Sequence, residues 1–179
     1  VETRFARDLE QVEAWVHGGD EPGSVAGASF NPDRLLTLRT RLSAAYKGLY
    51  ALTMRRTVTD WMKHKTLDQT TFYDYAVDIH HVFPQAWCRK NGVDRVRMDS
   101  IVNKTPLAAE TNRFISGRAP SAYLEALAKK AGVTEDVVHG HVVEHLIDPT
   151  LLAGDDFDAF FEDRRARLLT LIEDAMGKP

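Results

Sequence analysis

An α+β fold is what this sequence predicts: a mostly helical body carrying two short strands and a helix that follows them. Three observations support it. Apolar residues recur at steps of three and four near the N-terminus and again through the chain after Pro120, the spacing of one helix face. Between Phe72 and Phe83 the composition changes to aromatic and β-branched residues and stops at Pro84, as a strand does. Arg95 to Val102 then alternates, with Val96, Met98 or Ile101, and Val102 as its apolar members, which reads as a second short strand.

Taken in order, Glu2 to His17 puts Phe5, Leu9, Val12 and Val16 on one helix face, and Gly18, Gly19, Pro22, Gly23 and Gly27 break the chain into a loop. A second helix is expected to open at Asn31 as cap, with Pro32 in its first turn, and to continue through Leu35, Leu36, Leu38 and Leu42. From Tyr46 to Met62 aromatic and branched residues are mixed, and periodicity leaves helix and strand both open. Asn91-Gly92 marks a turn between the two strands. Thr105-Pro106 reads as a cap and a first-turn proline, so a short helix is expected to run to about Ser116 and stop at Gly117. Ser121 to Ala131, Thr134 to Leu146 and Phe157 to Met176 are helical in pattern.

The chain of 179 residues fits one domain, divided as a helical support (1–71), a strand-strand-helix centre (72–118) and C-terminal helices (119–179). Because it opens on Val1, it is expected to be a piece of a longer protein. No run approaches the ~18 apolar residues of a bilayer span and no signal peptide is legible, so a cytoplasmic protein without membrane contact is expected. The single cysteine, Cys88, excludes an internal disulfide and a paired-thiolate zinc site.

The net charge of -3 argues at first against a nucleic-acid partner, but the charges are segregated. Residues 34–65 hold eight basic side chains against the single acid Asp60, and residues 89–118 hold seven against Asp94, Asp99 and Glu110. Residues 132–176 hold eleven acids against three arginines. Basic runs of this kind suit a polyanion, although a solvated helix face gives them too.

Chemistry concentrates in Asp78-Ile79-His80-His81-Val82-Phe83-Pro84-Gln85, where a carboxylate and two imidazoles crowd the end of a strand. Strand parity sends Asp78 and His80 to one face and His81 to the other unless the strand bends. Asn103 closes the second predicted strand 22 residues after His81, and Asn112 follows nine residues later inside the short helix. Asparagine is a poor helix-interior residue, so Asn112 calls for a reason.

The ordered set His80-His81-Val-Phe-Pro-Gln, Asp99-Ser-Ile-Val-Asn103-Lys104 and Glu110-Thr-Asn112-Arg113 resembles the HNH nucleases, whose ββα-metal unit is two strands and a helix around one divalent ion. The strand-cutting HNH domain of RNA-guided CRISPR nucleases is similar over the first part. The run from Asn112 to Leu124 and the helical surroundings look more like the C-terminal HNH domains of GmrSD-type modification-dependent restriction enzymes and SspE-like phage-defence proteins. The resemblance covers about residues 76–124.

That resemblance implies a DNA endonuclease, a hydrolase of restriction or antiviral defence. It assigns His81, Asn103 and Asn112 to the catalytic set, with His81 as general base and Asn103 bracing the strands. His80 and Asn112 would be metal ligands and Asp78 a further ligand or an orienting partner. Lys104, Arg113 and Arg118 flank the centre and would contact DNA phosphates. The implied cofactor is Mg²⁺ or Mn²⁺. Because His80 stands where many relatives carry Asp, a nitrogen ligand also admits Ni²⁺, Co²⁺ or Zn²⁺. The implied partners are DNA and an N-terminal nucleotide-hydrolysing sensor domain in the full-length protein. Two alternatives stay open: a catalytically inactive DNA-binding module, and a zinc metallopeptidase through the His-x-x-Glu-His run His141, Glu144 and His145.

Overall fold

The computed structural model describes residues 2–40, 42–67 and 77–177. The chain divides into two units, Val1–Asn31 and Pro32–Pro179.

In the first unit the predicted helix is present as α1 (Glu2–Val16), followed by the short α2 (Gly23–Ala26). The Gln11 side-chain oxygen accepts from the Gly23 backbone N–H at 3.0 Å and ties the two together. Phe5, Leu9, Val12 and Val16 lie exposed.

The second unit is α+β. It contains α3 (Arg34–Thr37), α4 (Ala44–Arg55), β1 (Val77–His81), α5 (Gln85–Lys90), α6 (Arg95–Asp99), a 3₁₀ turn (Ile101–Asn103), β2 (Lys104–Ala108), α7 (Ala109–Ile115), α8 (Pro120–Ala131), α9 (Glu135–Glu144), α10 (Pro149–Ala153) and α11 (Phe157–Met176). The strands pair antiparallel, with His80 opposite Thr105 and His81 opposite Lys104. Among the described residues no helix is long and apolar enough to cross a membrane.

Several expectations need correction. Arg95 to Val102 is not a strand: Asp94 caps it, accepting from the Val96 and Arg97 N–H groups at 2.7 and 3.4 Å, and α6 and the 3₁₀ turn result. The second strand instead begins at Lys104, so Thr105-Pro106 lies within β2 rather than at a helix start. Among the described residues the sheet has two strands, and in such a ribbon Pro106 is tolerated where its missing N–H faces an edge. The helix expected from Asn31 reduces to the four residues of α3. The open stretch after Tyr46 resolves into α4, capped by Ser43 accepting from Tyr46 N–H at 3.1 Å. Of the first expected strand, residues 72–76 lie outside the described residues.

Burial explains how the strand pair is held. Phe83, Phe157, Phe160 and Phe161 form a buried aromatic cluster, with Phe83 and Phe160 centroids 5.0 Å apart. Tyr123 of α8 is buried, stacks on Trp61 and donates its hydroxyl to the Val82 carbonyl at 2.9 Å. Buried Arg164 of α11 donates to the carbonyls of Val102 and His145 at 2.7 and 3.3 Å, which pins the chain just before β2. Cys88 is buried, its thiol donates to the Phe83 carbonyl at 3.3 Å, and burial pushes its pKa up to about 11, so it is a packing residue.

The start of α7 is organised from a distance. Its cap position, Ala108, has no side chain able to accept a hydrogen bond. Fully buried Asp60 takes that role, accepting from Ala108 N–H at 2.8 Å and from the Thr111 hydroxyl at 2.6 Å. The same carboxylate accepts from the Met62 and Lys63 N–H groups at 3.0 and 2.8 Å, closing its own turn. An amide keeps one oxygen and turns an NH₂ group toward these donors. Asp60→Asn should therefore cost about 2–4 kcal/mol in urea unfolding, with accelerated amide exchange at the first turn of α7; an unchanged midpoint would show that Asp60 does not hold this helix.

Candidate functional site

The end of β1 and the face of α7 bring together two of the residues singled out from sequence. His80 is buried, and its Nδ1 lies 2.5 Å from Oδ1 of Asn112, 32 residues away in the chain. An amide oxygen only accepts, so His80 Nδ1 donates its proton to it. The helix-interior asparagine thus has a reason: it meets the strand. Asp78 belongs to β1, but its side chain lies outside the described residues.

The pair offers one nitrogen and one oxygen to a cation. Adjacent ligands of an ion with bonds of ~2.1 Å sit about 3 Å apart, so an opening of roughly half an ångström, with loss of the shared proton, would seat one. Among the described residues no group of three His, Cys, Asp or Glu converges on a point. Two protein donors suit an ion such as Mg²⁺, which keeps several waters and takes phosphate oxygens as further ligands.

Asn103 lies not within a strand but in the 3₁₀ turn just before β2, fully buried. Its Oδ1 accepts from Phe83 N–H at 2.8 Å, and its Nδ2 donates to the carbonyls of Phe83 and Met98, each at 3.0 Å. Its backbone carbonyl accepts from Val82 N–H at 2.9 Å. It fastens the chain leaving β1 to the chain entering β2.

His81, half-buried, engages a different set. Its Nε2 lies 3.4 Å from Oδ1 of Asp99, and the same carboxylate oxygen accepts from the Gln85 amide at 3.0 Å. Gln85 also lies 3.4 Å from His81 Nε2, a looser approach than its bond to Asp99. Burial lowers the His81 pKa below its ordinary 6.5, Lys104 lowers it further and Asp99 opposes both. The imidazole is therefore neutral near pH 7.

Asp99 and Gln85 carry no role by sequence alone, although both lie within the motif segments. Proximity in the fold supplies it: the cap of α6 turns Asp99 toward the end of β1. Lys104 faces His81 across the ladder and donates to the Arg39 carbonyl at 2.7 Å. Arg118 donates to the Phe114 carbonyl at 2.8 Å and covers the Phe114 ring, so it is engaged with its own helix end. Arg113 is exposed on α7.

The His-x-x-Glu-His run is built into the fold differently from a zinc site. His145 is fully buried; its Nε2 donates to the Thr59 carbonyl at 2.9 Å and its Nδ1 lies 2.7 Å from the Thr105 hydroxyl. Both ring nitrogens are thus spent on packing β2 against the segment that holds Asp60. His141 instead pairs with His64, Nε2 to Nδ1 at 2.8 Å, while Glu144 accepts from Thr59 N–H at 2.8 Å.

No family model matches this chain. It is similar to an uncharacterized protein of Methanocaldococcus jannaschii, MJ0686, at 25% identity over 198 aligned residues. That match takes in 96% of this chain and 33% of the relative, so the chain spans about a third of the relative's length. No solved structure matches.

Burial pushes the His145 pKa down to about 3. The unfolded chain takes up a proton there below about pH 6.5 while the folded chain does not, so stability is full above that value and falls as pH drops toward 3. At ~1.4 kcal/mol per pH unit, about 2 kcal/mol should be lost between pH 6.5 and 5 in urea titrations. His145→Gln, which does not titrate, should be less stable at pH 7 and show a shallower pH slope; equal slopes would remove His145 as the cause.

Proposed function

We propose that this chain is a metal-dependent endonuclease domain of the ββα-metal, HNH type that nicks DNA. The observation that carries the reading is the meeting of His80 and Asn112 at 2.5 Å beside the strand end that bears His81. The strand β1 supplies both histidines and the helix α7 the asparagine.

His81 is the catalytic residue. Neutral and with Nε2 3.4 Å from Asp99, it takes a proton from water as the water oxygen attacks phosphorus. The new P–O bond forms as the P–O3′ bond breaks, leaving a 5′ phosphate on one fragment. The 3′ oxygen leaves with the electron pair and is protonated by solvent. Asp99 is a positioning residue that stabilises the imidazolium that forms. Asn103 is another, since it sets the backbone on which His81 sits.

His80 and Asn112, with Asp78 as a further candidate ligand, would hold a divalent cation, Mg²⁺ or Mn²⁺, which supplies positive charge against the phosphate oxygens. Lys104, across the ladder from His81, would meet the same phosphate. In this reading the domain cuts DNA with weak sequence preference in the cytoplasm. It serves as effector of a longer restriction or phage-defence protein, whose other part would be a nucleotide-hydrolysing sensor. The relative's greater length leaves room for such a part.

Plasmid nicking tests this. Supercoiled DNA should be converted to the open circle by the wild type with Mg²⁺ or Mn²⁺ and not with EDTA, and His81→Ala should lower the rate at least a hundredfold while keeping the wild-type unfolding midpoint. Asn112→Ala should lose activity in a way that raised metal concentration partly restores. Retention of full nicking by His81→Ala would overturn the mechanism, and salt-sensitive DNA binding without cleavage by any metal would mark an inactive binding module.

A further inference from the structure

We infer that Arg39, Arg89 and Arg95 form, with Lys104, a clamp for the DNA phosphodiester backbone around His81. The inference rests on the nuclease reading and replaces the neighbours in sequence, Arg113 and Arg118, by neighbours in space.

Four elements deliver these cations to one place. Lys104 opens β2 directly opposite His81. The segment after α3 is fixed beside it by three hydrogen bonds: Ser100 hydroxyl to Leu35 carbonyl at 2.8 Å, Ile101 N–H to Leu38 carbonyl at 2.8 Å, and Lys104 ammonium to Arg39 carbonyl at 2.7 Å. Arg39 is thereby held next to Lys104 and is itself exposed. From α5, Arg89 donates to Oε1 of Gln85 at 3.1 Å, the same Gln85 whose amide binds Asp99. From α6, Arg95 lies 3.6 Å from Oδ2 of Asp99 with its side chain 86% exposed.

The charge balance at this place is lopsided. Arg95 pairs with Asp99, and Lys104 interacts with both Asp99 and Arg39, while Asp99 already serves His81 and Gln85. Lys104 is partly buried, and burial together with Arg39 lowers its pKa, a cost that a bound anion would relieve. Arg89 and Arg95 are each linked to His81 through one intervening side chain, Gln85 and Asp99. A run of such anions spaced along a backbone is the ligand chemistry that fits, since each cation sits on a separate element. Arginine forks would grip phosphate oxygens in pairs. Arg118, by contrast, is spent on the Phe114 carbonyl and ring.

The test reads binding apart from cleavage. A fluorescent 20-base-pair duplex is titrated with the whole chain in EDTA at a series of salt concentrations, and log affinity is plotted against log salt. Removing one cation that neutralises a phosphate should flatten the slope by ~0.9. Arg39→Ala, Arg89→Ala and Arg95→Ala should each do so by roughly that amount, and the triple variant by about 2–3. Arg89→Lys and Arg95→Lys should keep the slope, while Arg113→Ala and Arg118→Ala should leave it unchanged. An unaltered slope in the triple variant, flattening confined to the Arg113 or Arg118 variants, absence of duplex binding by the wild type, or tenfold preference for an RNA of the same length would each overturn the clamp. Plasmid nicking with Mn²⁺ is run in parallel. Nicking that persists with an unaltered slope removes the clamp and keeps the nuclease; a flattened slope without wild-type nicking keeps the clamp and removes the nuclease.

Discussion

The interaction on which the site depends is the grip of one buried amide, Asn103, on the backbone of Phe83 and Met98. The chain leaves β1 at His81 and enters β2 at Lys104, and the intervening residues make two helices and a turn. Such an excursion closes only at a cost in chain entropy, and its ends must be held where the ladder alone gives five paired residues. Asn103 spends its carbonyl oxygen and both amide protons on main-chain groups that would otherwise be buried without partners. His81, Asp99 and Lys104 face one another because this loop is shut.

A second buried side chain does the same for the helix. Asp60 is separated from α7 by about fifty residues, yet it accepts from Ala108 and Thr111 and so fixes where Asn112 falls. Its own position is secured through Thr59, whose carbonyl accepts from His145 and whose N–H donates to Glu144. His145 in turn meets Thr105 on β2, and Arg164 ties the carbonyls of His145 and Val102 together. The layer behind the strand pair is therefore a closed set of polar contacts embedded in aromatic packing. Such a layer costs desolvation and specifies one arrangement in return. Burial lowers the Arg164 pKa to about 9, which shows how strongly that guanidinium is removed from water.

Much of the helical body is legible in the sequence because amphipathic spacing and proline or glycine punctuation act locally. The terminal helix Phe157–Met176 and the helix opening at Pro120 follow from such signals. The strands are legible in kind and not in register. Val96, Met98 and Val102 imitate strand alternation, but Asp94 accepts two N–H bonds and tips the segment into a helix. Pro106 reads as a helix start until the pairing with Ile79 is known. At the site, the order of histidine pair and asparagines points to His80 and Asn112, which do meet. Asp99, Gln85 and Asp60 carry no such mark, since their roles arise from contacts between segments distant in the chain or from the turn of α6. The same holds for Arg39, which reaches Lys104 only because α3 docks on the 3₁₀ turn.

Two adjacent histidines with different surroundings frame the chemistry proposed here. Strand alternation gives His80 to the α7 side, where an amide oxygen lies in contact, and His81 to Asp99 and the cations. A base must stay unprotonated near neutral pH yet be able to hold a proton once it takes one. Burial and Lys104 provide the first condition, and Asp99 provides the second. In the proposed reading one imidazole would meet a metal while its neighbour keeps a carboxylate, at a strand end shut by Asn103.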